Sequence, residues 1–387
     1  MFSASKWVIM SSGSWGLEVD SKYRILYKIY VLYIRFIYIT STVAVFAMFL
    51  VNLGSNNDKA IEALSLTLCS VSCIIRLAVC LKQKVVNLLK IVMEDQFNYA
   101  VNDPKIKVML QEYKSYVTFL CVFVVCYTYS LVILFNIFNG IIEFQSFRKL
   151  HPNATEYPQY LVSIWLPFNV QTHFTLALIC QTVLFLQSCV LNYSSTVLFN
   201  TLMIYVVIKL KILQHLFQNF NTYPKNLENF HMELRDVLAI DNLKHLIRQH
   251  QDIISFVKEL DKNIKIGVLI EYTITSLMLA TISIQVLTGN KVASFSFYGL
   301  ILIYQLFLLS WNAAEIKTQS EKIAGAIYAT DWYVYGPGVK QIIHFIIMRC
   351  SKGLSLDIGP FGPNDLGAAS ARLKLAYSYV SVMGNNK

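Results

Sequence analysis

The eight cysteines are the residues of this chain whose type most readily binds metal or undergoes redox chemistry. Cys69 and Cys73 are spaced i,i+4, which places both thiols on one face of a helix. No histidine and no further cysteine pair is placed to complete a four-ligand zinc site. All the cysteines except Cys350 lie in apolar runs, where cysteine behaves as a small hydrophobic residue. We therefore predict no metal site, no cofactor and no disulfide here.

Histidines could act as general acids or bases, and four of them fall in one stretch at positions 215, 231, 245 and 250. At this spacing on helices, surface or packing roles are more common than ligand roles. The chain also lacks the phosphate-binding loop, the H-E-x-x-H zinc motif, the G-x-S-x-G nucleophile motif and the dinucleotide fingerprint. We predict that the chain is not an enzyme.

The high aromatic content, 23 Tyr and 24 Phe, suggests a different chemistry, a pocket for a small apolar ligand. Such pockets combine apolar and aromatic walls with a few polar groups. Ordinary helix packing is the alternative for each residue taken alone. The candidates in the predicted outer halves of spans two to six are Leu64, Leu68, Tyr129, Ile133, Asn136, His173, Phe174, Leu178, Gln181, Met278, Ile282, Phe297 and Tyr298.

The elements that would position these residues are membrane spans. Hydrophobic residues make up 55% of the 387 residues and charged residues only 14%, against about 25% charged in soluble domains. One very apolar soluble domain could have the same composition. Here, however, the apolar residues form blocks, and a block of about 20 apolar residues is long enough to cross a bilayer as a helix. Six blocks approach or exceed that length: 27–53, 61–81, 116–142, 174–208, 264–287 and 295–316.

A seventh span, 364–383, is only moderately apolar and holds Arg372 and Lys374 near its middle. A lipid-facing charge there would cost about 2.5–3.5 kcal/mol. A soluble tail helix is the alternative. A helix with such charges can still span if they face protein or water, which is the profile of a pore-lining helix. We predict seven transmembrane helices in an all-α, polytopic membrane protein.

The basic residues predict the topology. The first 24 residues contain no compact apolar segment followed by a cleavage site, so we expect a cytosolic N-terminus. The predicted inside segments then hold 22 Lys and Arg and the predicted outside segments hold 4, as the positive-inside rule requires. The net charge of +10 follows from these loops and does not indicate nucleic acid. The C-terminus is then extracellular, and Asn153 is a glycosylation acceptor in the longest external loop.

The segments between the spans are predicted to be helical as well. Apolar residues recur at helical period over 243–260, 316–328 and 339–348. Spans four to six should therefore continue into the cytosol and form a helical anchor region. The predicted organisation is 1–208 with spans one to four, 209–263 as a cytosolic anchor segment, 264–316 with spans five and six, 317–363 as further anchor helices, and 364–387 with the pore helix and extracellular end.

Three blocks resemble the insect odorant receptor family, in order and spacing. They are L-I-x-x-H-Q-x-x-I over 246–254, Q-S-E-K-I-A at 319–324 followed by A-x-Y at 326–328 and W-Y at 332–333, and G-P-F-G-P at 359–363 leading to K-L-A-Y-S-Y at 374–379. The last block differs from the family's pattern in the final helix: Gly362 replaces a Phe, Asn364 a Leu, Gly367 a Glu and Arg372 an apolar residue.

The resemblance implies an odour-tuning subunit that assembles with the odorant receptor co-receptor (Orco) in a heterotetramer, in the plasma membrane of olfactory sensory neurons. A small apolar volatile would bind in the outer half of the bundle and open a non-selective cation pore. It implies pore and gate residues at Val382, Ser378, Lys374 and Tyr379. Subunit contacts would lie in the anchor blocks, at His250, Gln319, Ser320, Tyr328, Trp332 and Tyr333.

Three other classes of membrane protein are weighed against this interpretation. A gustatory-type homomeric channel would carry a different terminal motif, T-Y-x-x-x-x-x-Q-F, which is absent. A G-protein-coupled receptor would have an external N-terminus and the D/E-R-Y and N-P-x-x-Y patterns, and neither pattern occurs. A secondary transporter would show internal repeats, and none is evident.

Overall fold

The computed structural model describes residues 2–15, 23–55, 57–95, 103–134, 141, 144–150, 164–168, 173–221, 231–289 and 292–384. Regular structure in these ranges is helical, apart from one isolated β-bridge between Asp357 and Pro363. The helices are α1 (Ser3–Ser11), α2 (Arg24–Asn52), α3 (Asn57–Cys80), α4 (Gln83–Glu94), α5 (Pro104–Ile133), α6 (Phe144–Leu150), α7 (Phe174–Gln218), α8 (Met232–Leu287), α9 (Val292–Tyr328), α10 (Pro337–Cys350) and α11 (Leu366–Gly384). A single 3-10 turn, Trp332–Val334, lies between α9 and α10.

Six of the described helices are long and apolar enough to cross a membrane, and each covers all or most of one of the six predicted blocks. Their spanning stretches are Arg24–Asn52, Lys59–Cys80, Pro104–Ile133, Thr175–Gln218, Leu234–Leu287 and Val292–Tyr328. The end of the third block, beyond residue 134, lies almost entirely outside the described residues. Helix α11 has 19 residues, enough to span, but it is too polar to be counted with these six. That α11 crosses the membrane, and which side of the membrane each end of the bundle faces, stay predictions.

Three helices run far beyond the thickness of a bilayer. Helices α7, α8 and α9 have 45, 56 and 37 residues. At about 1.5 Å per residue, α8 is roughly 84 Å long, against a hydrocarbon core of about 30 Å. The fifth span and the amphipathic segment before it are therefore one continuous helix, as the periodicity of that segment predicts. The extended ends of α7, α8 and α9 pack with α4 and α10 into a second helical layer.

Helix α7 is the centre of the bundle. Of its most apolar stretch, 89% is buried inside the chain, whereas the corresponding figure for α2 is 22%. It packs against α9, α5, α1 and α8, and its fully buried side chains include Leu202 and Met203. Helix α2 instead turns a row of large apolar side chains outward, which suits contact with lipid.

The short helix α1 packs between α5 and α7 rather than lying apart as a tail. The Thr201 hydroxyl donates a hydrogen bond of 3.0 Å to the Ser5 hydroxyl, which is fully buried. The ring of Phe2 lies 6.5 Å from that of Tyr205 on α7. The first residues of the chain are thus part of the core, although the sequence indicated only a cytosolic segment there.

The link between α10 and α11 is a compact turn held against α8. The Ile358 amide donates to the Gly362 carbonyl at 2.8 Å, and the Asn364 amide donates to the Leu356 carbonyl at 2.7 Å. Gly362 has φ +102, a left-handed conformation that favours glycine. This explains why glycine stands at a position where the resemblance leads one to expect phenylalanine.

Candidate functional site: an apolar cavity and the final helix

A cavity of about 50 Å³ lies where α2, α3, α5, α7 and α9 diverge. Its walls are mostly apolar, which suits a small organic ligand. The lining residues are Ser41, Val45, Leu66, Cys69, Ser70, Thr128, Leu131, Ile164, Leu184, Phe185, Ser188, Cys189, Asn192, Tyr298, Ile301 and Gln305.

Two polar atoms in the cavity wall are buried without a nitrogen or oxygen hydrogen-bond partner among the described residues. They are the hydroxyl of Tyr298 and Oε1 of Gln305, on one side of α9. By contrast, the hydroxyls of Ser41, Thr128 and Ser188 bond carbonyls of their own helices. A buried polar group without a partner costs roughly 1–3 kcal/mol, so a ligand that pairs with Tyr298 or Gln305 recovers that cost. The site offers one donor and one acceptor to a bound molecule.

The volume of the cavity limits what can enter it without adjustment. A water molecule needs about 10–15 Å³ measured in the same way, so 50 Å³ admits a few waters or part of a small organic molecule. A ligand of about ten heavy atoms therefore requires wall side chains to move. Leu184 and Phe185 line the cavity and are only half-buried, so the adjustment is expected at side chains such as these.

Of the predicted pocket residues, Tyr298 lines the cavity. Leu68 and Phe297 are half-buried in the apolar cluster beside it, where Met278 and Ile282 are fully packed. The hydroxyl of Tyr127, a neighbour in that cluster, donates to the carbonyl of Phe297.

The predicted residues of α5 do not line the cavity. Tyr129 is 42% exposed and Ile133 is 55% exposed, whereas Thr128 and Leu131 of the same helix face inward. A helix turns by about 100° per residue, so a neighbour in sequence points to a different side. Tyr129 and Ile133 therefore lie on a different side of α5 from the two residues of this helix that line the cavity.

The remaining predicted pocket residues lie elsewhere in the outer bundle. Leu64 and Leu178 are half-buried, His173 is exposed, and Gln181 is buried. Asn136 lies outside the described residues, as does the side chain of Phe174. The predicted glycosylation acceptor Asn153 is outside them too.

Several wall residues were not among the predicted ones. Ser41 and Val45 come from α2, the first span, which the prediction left out. Gln305 lies about two turns beyond Tyr298 on α9, and Asn192 lies about three turns beyond Gln181 on α7. A polar side chain within an otherwise apolar span is the sequence signal that could have identified both, because such residues in a bilayer face protein or a cavity.

A buried ion pair lies directly beside the cavity. Nη2 of Arg76 on α3 is 3.0 Å from Oε1 of Glu271 on α8. Nη1 of Arg76 donates to Oδ1 of Asn192 at 2.7 Å and to the Thr196 hydroxyl at 3.3 Å. Since Asn192 also lines the cavity, the ion pair is one hydrogen bond away from a bound ligand.

The final helix α11 is only partly packed against its own chain. It contacts α8 and α9, with Ala376 buried and Leu373 half-buried on that side. Lys374 and Ser378 are exposed, and so is Tyr377, by 74%. The side chains of Tyr379 and Val382 lie outside the described ones. A charged residue left uncovered on a bilayer-length helix requires water or another subunit beside it.

Comparison with known proteins identifies the family. Residues 56–377 match the family described as 7tm Odorant receptor. The chain belongs to the insect odorant receptor family. Odorant receptor 10 of Aedes albopictus is 24% identical over 241 residues, 59% of this chain and 62% of the relative. Odorant receptor 47b of Drosophila melanogaster is 28% identical over 159 residues, 39% of this chain and 38% of the relative. The matches thus span less than two thirds of these relatives' own length.

Solved structures of one family member share the fold. The olfactory receptor OR5 of Machilis hrabei superposes with a TM-score of 0.78 at 15% identity, covering 98% of this chain and 96% of that one. Its complex with eugenol superposes with a TM-score of 0.75 at 17% identity, covering 99% and 97%. The whole architecture is therefore that of an insect olfactory receptor.

In this odorant receptor, three of the predicted anchor residues are internal. Gln319 is 4% exposed. The Gln214 side chain donates to the backbone carbonyl oxygen of Gln319 and to its side-chain oxygen Oε1. The Ser320 hydroxyl accepts from the Leu354 amide at 2.8 Å. Burial lowers the pKa of His250 to about 4, with Arg349 acting in the same direction. Gln319 and Ser320 thus connect different parts of the second helical layer within this chain, and His250 is buried in it.

The other anchor residues of the receptor face outward. Tyr328 is 66% exposed and Tyr333 is 61% exposed. Trp332 lies between them, with its ring 6.2 Å from that of Tyr328, and is half-buried. Exposed aromatic residues are typical of protein interfaces, so subunit contact through the anchor blocks is expected at these three rings.

Proposed function

We propose that this odorant receptor is the odour-tuning subunit of a ligand-gated, non-selective cation channel. The observation that carries the proposal is the apolar cavity, whose wall leaves a tyrosine hydroxyl and an amide oxygen without a nitrogen or oxygen partner among the described residues. These features suit a small volatile with one polar group, such as a ketone, an ester or an alcohol. Family membership supports the same function.

The pore is assigned to α11, lined by Lys374, Ser378, Tyr379 and Val382. The exposure of Lys374 and Ser378 in the single subunit supports this assignment, because both require water or another subunit beside them in a bilayer. The partner proposed from the family resemblance is Orco, in a heterotetramer in the plasma membrane of olfactory neurons. Segments 209–263 and 317–363 then form the cytosolic anchor where subunits meet.

The direct test is co-expression of the chain with Orco, followed by patch-clamp recording during application of a broad panel of volatiles. We expect odour-evoked cation currents that neither subunit alone produces. Currents from the chain alone would favour a homomeric, gustatory-type channel. Silence of the pair despite confirmed surface expression would refute the proposal. An N-terminal epitope tag that stains on intact cells would refute the channel topology and favour a G-protein-coupled receptor.

The cavity predicts a ligand-selective effect of Tyr298→Phe. Loss of one hydrogen bond is worth about 0.5–1.5 kcal/mol, so the half-maximal concentration of a carbonyl-bearing agonist should rise roughly 3-fold to 10-fold. A hydrocarbon agonist of the same length should be affected little. Tyr127→Phe is the matched control, since Tyr127 bonds the Phe297 carbonyl outside the cavity wall. Equal shifts for both agonists, or for both variants, would argue against ligand contact at Tyr298.

The pore assignment predicts that Val382→Ala raises the current measured without odorant. An apolar constriction closes a pore by excluding water, and a smaller side chain widens it. Ser381→Ala is the control, because the neighbouring side chain points about 100° away on the helix. Basal current and block by large organic cations, both normalised to surface level, are the measurements. Values like those of the unmodified receptor would remove Val382 from the gate.

A further inference from the structure

Two consecutive residues of α8 connect the cavity with the final helix. Glu271 bonds Arg76, and the guanidinium of Arg76 bonds the cavity residue Asn192. The next residue, Tyr272, is fully buried and contacts α9 and α11 instead. Neighbouring positions on a helix point about 100° apart, so α8 holds a separate polar cluster on each of two faces. The two clusters are joined by the backbone of α8.

The cluster around Tyr272 holds α11 at two points. The Tyr272 hydroxyl donates to Oδ1 of Asn364, which lies two residues before the first residue of α11, and it also contacts the hydroxyl of Ser310 on α9. The guanidinium of Arg372, in the second turn of α11, lies 5.9 Å from the centre of the Tyr272 ring. One side chain of α8 thereby contacts both the residue just before the final helix and the second turn of that helix.

Asn364 and Arg372 are two of the residues at which this chain departs from the family's pattern. Both stand where the resemblance leads one to expect apolar residues, and both contact Tyr272. Nδ2 of Asn364 and Nε of Arg372 are buried without a hydrogen-bond partner among the described residues. Tyr272 is therefore the polar group that compensates for placing these two side chains against α8.

The segment that leads into α11 is also fixed along α8. The Asp357 amide donates to Oδ1 of Asp261 at 2.7 Å, and the Gly359 amide donates to the Lys265 carbonyl at 3.2 Å. A Cβ atom added at Gly359 would lie 2.7 Å from the Leu269 side chain. This close approach leaves little freedom for the segment to slide, so a displacement of α8 displaces the start of α11 with it.

We propose that Tyr272 is the positioning residue that couples ligand occupancy of the cavity to the position of α11. A ligand that displaces the Asn192 amide removes one hydrogen bond of Arg76. Because Arg76 stays paired with Glu271, the guanidinium and this stretch of α8 move together. Tyr272 then carries the movement to Asn364 and Arg372. The inference rests on the proposed function, since it takes α11 as the pore helix.

The first test is Tyr272→Phe in the chain co-expressed with Orco, with currents normalised to surface level by biotinylation. The variant keeps the ring that Arg372 faces and removes only the hydroxyl. We expect the half-maximal agonist concentration or the basal current per surface receptor to change about 5-fold or more, the usual lower size of coupling between two sites. Tyr304→Phe, a half-buried tyrosine of α9 outside the cluster, is the matched control and should behave as the unmodified receptor.

A second variant separates coupling from structural support. Removing both partners of a buried hydrogen bond restores stability better than removing one, so Tyr272→Phe with Asn364→Leu should recover the surface level. If Tyr272 couples the sites, this double variant still shows the shifted currents. If the contact is only structural, surface level falls in the single variants and recovers in the double one, while currents per receptor stay unchanged, and the proposal is overturned.

The cavity end is tested by combining Asn192→Ala with Tyr272→Phe in a double-mutant cycle on the agonist response. If the fold-change in half-maximal agonist concentration of the double variant equals the product of the two single-variant fold-changes, the two positions are uncoupled and the inference is overturned. If the unmodified receptor responds to odorant and Tyr272→Phe gives the same currents, the inference is overturned but the proposed function stands. Absence of current from the unmodified pair would overturn both.

Discussion

Arg76→Leu is expected to remove most of the receptor from the cell surface. The substitution leaves Glu271 buried without its cation, since the two side chains are only 6% and 12% exposed. Removing one partner of a buried ion pair costs about 3–5 kcal/mol, a large part of the roughly 5–15 kcal/mol that stabilises a folded domain. Surface level should fall to about a tenth or less, and the melting temperature in detergent should drop correspondingly.

Two further variants make the Arg76 prediction specific. Combining Arg76→Met with Glu271→Met removes both charges, so it should recover much of the lost stability. Lys90→Met is the control, because Lys90 and Glu94 form an i,i+4 pair with side chains that are 58% and 67% exposed; such pairs contribute about 0.5 kcal/mol or less. A stable, fully expressed Arg76→Leu protein would mean that Glu271 finds water or another cation, and that the pair does not hold α3 to α8.

Asp103→Ala is expected to be the most damaging single change outside the membrane spans. The Asp103 side chain caps α5 by accepting from the Lys105 amide at 2.8 Å, and its other oxygen lies 2.7 Å from Nε2 of His215. Both side chains are buried. Loss of a helix cap costs about 1 kcal/mol and an unsatisfied buried partner about 1–3 kcal/mol, so a loss of roughly 2–4 kcal/mol is expected.

The Asp103 prediction is checked by thermal unfolding of the detergent-solubilised protein. Asp103→Asn should be milder, since an amide oxygen still accepts from the Lys105 backbone. Asp331→Ala, at an exposed aspartate with a surface hydrogen bond to Tyr333, should change the melting temperature little. Similar losses in the alanine and asparagine variants would indicate that the charge opposite His215 matters more than the cap.

The membrane architecture of this receptor was readable in advance because hydropathy is a local property. A bilayer selects for apolar runs of a given length, and each of the six blocks coincides over most of its length with a described helix that meets this condition. The continuity of α8 was likewise visible in the helical period of 243–260. Helix α11 was recognised from its motif and its charges, since its hydropathy alone does not mark it as a span.

The candidate site was only partly predictable. Tyr298 was among the residues predicted in the outer halves of the spans, but the cavity also includes Ser41 from α2 and Gln305 from α9, which are far apart in the sequence. Tyr129 and Ile133 were predicted on the same grounds, yet they are largely exposed and do not line the cavity. A cavity forms where several helix faces diverge, and the rotation of each helix depends on all of its neighbours. Residue type along one chain does not contain that information.

By itself, the sequence determined that the chain crosses the membrane repeatedly and that some of its helices extend beyond the bilayer. It also determined that the terminal motifs are those of the odorant receptor family. The tertiary structure alone decided the partners of the polar side chains. Arg76 was visible only as a charge near the end of a span, and Arg372 only as a charge in a helix that should not hold one. Their partners, Glu271 and the ring of Tyr272, both lie on α8. In a low-dielectric interior a charge is tolerated only beside its partner, and which groups become neighbours is set by helix packing rather than by local sequence.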